Sequence, residues 1–172
     1  MDKPYSNLTV ALHWLLVPII LMALYMGSDI ASLDDDLDLK VDRLIVHMAA
    51  GILIGFLFLV RVLIKIFTVN TPDQKKTKIE ILAVLAHRTL YAVVFLVVIS
   101  GIAIMIEVDM QAIVASGEIM PMGFSELPIR QLHDALTSLL MLLITAHALA
   151  ALYHQFILKD KLFSKMWFKK FK

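Results

Sequence analysis

Four stretches of this chain are each long and apolar enough to cross a lipid bilayer, which takes roughly 20 consecutive residues. They run from Leu8 to Gly27, Leu44 to Val69, Ile81 to Ile106 and Leu132 to Leu158. In lipid every backbone amide must be satisfied within the protein, so stretches of this kind fold as helices. Polar or breaking residues bound them: Gly27-Ser28-Asp29, Asn70-Thr71-Pro72-Asp73, and Pro128-Ile129-Arg130 ahead of the last. Pro18 falls inside the first, which membrane helices tolerate. The composition agrees, with 60% hydrophobic and 18% charged residues, against about 45–50% and about 25% in soluble domains. The expectation is an all-α integral membrane four-helix bundle, with residues 1–172 as one transmembrane domain. The first stretch reads as a retained helix, not a cleaved signal. Its only positive flanking residue is Lys3, and its long apolar run holds His13 and Pro18.

Lysine and arginine set the orientation. Lys75, Lys76 and Lys78 lie in the second loop, between Arg61 and Lys65 before it and Arg88 after it. The tail adds Lys159, Lys161, Lys165, Lys169, Lys170 and Lys172. The first loop carries Asp34, Asp35, Asp36 and Asp38, and the third Glu107, Asp109, Glu118 and Glu126. Both termini and the middle loop are therefore expected in the cytoplasm. The tail KDKLFSKMWFKKFK mixes lysine with aromatics, as suits either an interfacial segment on anionic lipid or a positive-inside stop signal. SLDDDLDLK is expected as a solvated loop; it lacks the glycine and terminal glutamate of a calcium loop. QAIVASGEIMPMGF is expected outside the membrane, as a loop or as a short helical lid or docking element. Nothing points to nucleic acid. With no cysteine in the chain, disulfides, iron–sulfur clusters and thiolate sites are excluded.

All six histidines lie in or at the ends of the spans: His13, His47, His87, His133, His147 and His154. Ionisable residues in a membrane are costly and point to function. Single ones also serve as helix-packing hydrogen-bond donors. At a rise of about 1.5 Å per residue, His133 and His147 stand about 21 Å apart on nearly one face. Depth then allows His47 to meet His133 on the external side and His13 to meet His147 on the cytoplasmic side. A His13–His87 pair is equally compatible with depth. Two stacked histidine pairs suit two b haems, each held by opposed imidazoles from facing helices. A zinc or iron site would want three or four clustered ligands, usually with carboxylates.

Gly51 and Gly55 share the face of His47, making room for a flat macrocycle or forming a GxxxG helix contact. Arg61, on that face at cytoplasmic depth, is a candidate partner for a haem propionate, and Arg130, one turn before His133, for one on the external side. Each also suits a snorkelling topology marker. Met22, Met105 and Met141 are expected to pack rather than ligate.

The chain resembles the prokaryotic cytochrome b561 family, related to the cytochrome b subunits of hydrogenases and formate dehydrogenases. The resemblance rests on KPYSNLTVALHW, LIVHMAAGI, LAHRTLY and HDALTSLLMLLITAHALAALYH and spans essentially the whole chain. It implies two b haems in the bacterial inner membrane, with His13 and His147 on the cytoplasmic one and His47 and His133 on the external one. It also implies a cytoplasmic quinone such as ubiquinone, for which His154 is the candidate partner. His87 is a second candidate there or a competing axial ligand. The function implied is transmembrane electron transfer to or from quinone. The external donor is superoxide or a redox protein. Some family members pass electrons from superoxide to ubiquinone, which favours a positive external surface. Here eleven acidic residues face Lys40, Arg43 and Arg130, which departs from that pattern, although those three leave room for a local basic patch. Two other functions fit the histidines: a metal-ion or proton transporter, and a haem-carrying anchor subunit of a larger oxidoreductase.

Overall fold

The computed structural model describes residues 5–34, 38–68, 77–116, 120–121, 123–160 and 166–167, with the side chains of 38, 68 and 78 excepted. Lys75 and Lys76, the aspartates at 35 and 36, Glu118 and most tail lysines lie outside the described residues. Five α-helices follow in order: α1 (Asn7–Ala31), α2 (Asp38–Thr68), α3 (Lys78–Glu107), α4 (Met110–Ser116) and α5 (Pro128–Tyr153). A 3-10 turn, Phe124–Glu126, precedes α5, and a π-turn, His154–Leu158, extends it. Four of these, α1, α2, α3 and α5 with its extension, are long and apolar enough to cross a membrane.

Local chemistry sets the helix ends. The Ser6 side chain accepts from the Thr9 amide to cap α1. Thr77 and Glu80 form a reciprocal capping box at the start of α3. Pro128 opens α5 at a position where its missing N–H costs nothing. Pro18 is accommodated inside α1.

α1 packs chiefly on α2 and α3 chiefly on α5, giving two antiparallel hairpins joined along α2 and α3. Leu16 and Ala23 of α1, Ala50, Ile54 and Phe58 of α2, Val93 and Val94 of α3, and Leu140 of α5 form the buried centre. Gly55 permits the close α2–α3 approach, since a Cβ there would come within 3.0 Å of Val98 Cγ1. Outward-facing Phe56, Phe67 and Leu142 stay exposed, as side chains directed at lipid must.

The loops mark the two ends. At the acidic end α1 gives way to α2, and α3 to α5; at the basic end lie the starts of α1 and α3 and the ends of α2 and of the α5 extension. The acidic end departs from expectation. Residues 38–40 are not a solvated loop but the first turn of α2, and Lys40 is fully buried, its Nζ donating to the Leu33 carbonyl at 2.7 Å. That bond gives the ammonium a backbone acceptor and ties the turn down. The segment after Glu107 takes the short-helix alternative, as α4. Met110, Ile113, Met120 and Phe124 form a second buried cluster with Ile104, packed against Val41, Leu44 and Met48 of α2.

A histidine-lined candidate cofactor site

At the acidic end α2 supplies His47 and α5 supplies His133, one from each hairpin. Their ring centroids lie 6.4 Å apart with the planes at 84°. Both line a cavity of about 330 Å³, whose walls include Gly27, Gly51, Gly101, Arg130, Met110 and Phe124. The glycines shape it. A Cβ on Gly27 would lie 3.2 Å from His47 Cε1, one on Gly101 3.4 Å from His133 Cε1, and one on Gly51 would meet nothing within 4 Å. Gly51 thus leaves open space, whereas Gly27 and Gly101 give the imidazoles room. Sequence reading took Gly27 only as a span boundary and passed over Gly101; a glycine at the depth of a histidine was the available signal.

Hydrogen bonding prepares the rings. The Ser100 hydroxyl donates to the Val97 carbonyl at 2.9 Å and lies 2.8 Å from His133 Nδ1. A hydroxyl has one proton, so toward His133 the Ser100 oxygen accepts, and Nδ1 carries the hydrogen. Nε2 is left with its lone pair, the state a metal ligand needs. Ser100 is buried and was missed in the sequence, where one serine in an apolar span has no distinguishing pattern. The buried His47 ring lies within hydrogen-bonding reach of the Ala23 backbone.

Arg130 stands in the cavity wall, mostly buried, ion-paired with Asp134 one turn on and 5.9 Å from the Phe124 ring centroid. Arg43 pairs with Asp29 across the α1–α2 corner. With Lys40 buried on Leu33, each of the three cations considered for a local basic patch is held by a group of this chain. Met105 and Met141 also line the cavity. Met22 is half exposed.

At the basic end the His87 ring lies 5.2 Å from His147, at 81°. His87 Nδ1 is 2.6 Å from the Ala83 carbonyl, to which it can only donate. His13, on α1, is within electrostatic reach of Arg61, His147 and His87. Arg61 Nε donates to the Tyr91 hydroxyl at 3.4 Å, and Lys65 Nζ sits 4.5 Å from that ring's centroid. His154 Nδ1 meets the Asp160 carboxylate at 2.5 Å. Trp14 Nε1 donates to the Met166 carbonyl at 2.8 Å, which brings the tail back beside His13.

These distances discriminate between the pairs. Two metal–nitrogen bonds of about 2.0 Å, with about 1.1 Å from each nitrogen to its ring centre, put opposed imidazole centroids about 6.2 Å apart. His47 and His133 meet that spacing. His87 and His147, on the close-packed α3–α5 hairpin, are too near each other to admit a metal between them. Among the described residues no group of three or more His, Cys, Asp or Glu side chains is placed to hold a metal ion by itself. The acidic-end site therefore fits a flat, metal-centred macrocycle held from both faces by imidazole, with Arg130 on the wall for an anionic substituent.

Comparison with known proteins agrees with this chemistry. Residues 4–169 match the prokaryotic cytochrome b561 family. The chain is 28% identical to the probable superoxide oxidase CybB of Yersinia pestis, over 99% of each chain. It is 25% identical to cytochrome b562 of Cereibacter sphaeroides, over 96% of each. A family match over nearly the full length joins a four-span helical bundle and opposed histidines. The chain belongs to the prokaryotic cytochrome b561 family, whose members are multi-pass proteins of the bacterial inner membrane that carry b-type haem and transfer electrons.

Proposed function

We propose that the chain carries electrons across the membrane between an external donor and a cytoplasmic quinone, through two b haems. The positive-inside rule puts the basic end in the cytoplasm. His47 and His133 hold the external haem, with Gly51 leaving room for it and Arg130 answering a propionate. His13 and His147 hold the cytoplasmic one, with Arg61 as the corresponding cation.

The spacing and hydrogen-bond state of His47 and His133 carry this reading. His13 is assigned by its place in the fold: like His47 it sits on the α1–α2 hairpin, and it lies within electrostatic reach of His147 on the other hairpin. His87 shares the α3–α5 hairpin with His147, with ring centroids 5.2 Å apart. The bound haem supplies one-electron redox chemistry. The residues would do the rest: the imidazoles would hold the haem, the apolar middle of α5 would keep water out, and arginine would balance carboxylate charge. Quinone reaction also needs protons, for which His154 and His87 are the histidine candidates near the basic end.

Similarity to a probable superoxide oxidase supports superoxide as the donor, making the protein a superoxide:ubiquinone oxidoreductase. The internally paired Arg43 and Arg130, the buried Lys40 and the acidic loops support a neutral or cationic redox partner instead.

A pyridine haemochrome assay with a protein determination tests the proposal. Two haems per chain are expected, one in His133→Ala and in His13→Ala, and two in His87→Ala. Two haems in His133→Ala would refute the pairing. No haem, with stoichiometric zinc or iron, would favour a metal-ion transporter, and co-purification of a large external subunit would favour an anchor.

A further inference from the structure

The end of the fourth span has an unusual construction. After Tyr153 the helix widens into the π-turn His154–Leu158, and Lys159 follows with φ 53°. A lysine takes this left-handed conformation only where its surroundings require it. The result is a reversal that returns Asp160 to His154. The Asp160 amide donates to the His154 carbonyl at 3.4 Å, and its carboxylate receives His154 Nδ1 at 2.5 Å. Both side chains remain partly open to solvent.

A carboxylate accepts and does not donate, so this contact keeps the hydrogen on Nδ1. Nε2 becomes the nitrogen that exchanges protons. We propose that Asp160 is a positioning residue for the quinone reaction: it fixes the ring and tautomer of His154 so that Nε2 delivers the proton a quinone oxygen needs when it is reduced. This rests on the reading of His154 as the quinone's partner. As an electron reaches the quinone from the b-type haem, the Nε2–H bond breaks and an O–H bond forms. The imidazole regains its proton from water on the same side. A second electron and proton complete the quinol.

The test uses the full-length, haem-loaded protein in detergent. Reduced protein is mixed with a short-chain ubiquinone analogue, and haem reoxidation is followed. Asp160→Asn should lower the limiting rate by about 10- to 100-fold, leave the half-saturating quinone concentration and haem content unchanged, and be largely rescued in Asp160→Glu. In wild type, nitrogen-15 histidine NMR should place the His154 hydrogen on Nδ1. A neutral His154 ring carrying its single hydrogen on Nε2 instead of Nδ1 would overturn the proposal, even if a variant fails to fold. So would an Asp160→Asn rate equal to wild type while His154→Gln is slow. If His154→Gln itself reacts like wild type, the quinone reading of His154 fails instead.

Discussion

Replacing Ser100 by alanine removes the one side chain that accepts from His133 Nδ1, and its consequence can be worked out from the structure. The hydroxyl stands 2.8 Å from the ring and is buried, so water does not readily take its place. Leaving a buried N–H without its partner costs about 1–3 kcal/mol. The Val97 carbonyl, freed of the serine proton, lies beside the same ring and recovers part of this. A net loss of about 1–2 kcal/mol corresponds to about 5- to 30-fold weaker haem retention. The effect should be confined to the acidic-end site, because Ser100 sits at His133 and His147 stands about 21 Å further along α5. The assay is the rate of haem transfer from purified protein to an excess of a haem-scavenging apoprotein, with haem content read by difference spectra. One haem should leave Ser100→Ala faster, and the other at the wild-type rate. Ser100→Thr keeps a hydroxyl and should behave like wild type. Equal loss rates in Ser100→Ala and wild type would refute the tautomer argument, as would faster loss from the basic end.

Gly51→Leu puts four carbons where a Cβ meets nothing within 4 Å; it should exclude the acidic-end haem while the chain still folds, so the haemochrome ratio falls by one. Thr77→Ala removes the hydroxyl half of the capping box at α3 and leaves the backbone amide donating to Glu80; it should destabilise by about 0.5–2 kcal/mol, read as an earlier midpoint in denaturant titration in detergent. Trp14→Phe deletes the bond to the Met166 carbonyl, worth about 0.5–1.5 kcal/mol; the tail should then be cut faster by trypsin, with the transmembrane helices still protected.

Much of this was legible before any coordinates. Span length follows from bilayer thickness, and so the four helices and their order follow from runs of apolar residues. Depth follows from helical rise, so His47 with His133 at one level needs only counting. The partner of His147 was not legible, because His13 and His87 lie at the same depth. They differ in which hairpin they occupy, and that depends on which helices pack closely. SLDDDLDLK was read as a solvated loop, and the segment after Glu107 as a loop or a short helical lid. A carbonyl positioned for the ammonium reversed the first expectation, and in the second the short helix α4 sits among large apolar side chains beneath the α2 start.

The sequence by itself determined the spans, their order and the levels at which histidines sit, because these depend on polarity and on a repeat fixed by the backbone. Only the tertiary structure decided which nitrogen of His133 carries hydrogen, that Gly27 and Gly101 clear space for imidazoles, and that Asp160 returns to His154. Each of those depends on hydrogen-bond distances between groups whose spacing in the chain, from 6 to 33 residues for the bonded pairs, does not fix their separation in space.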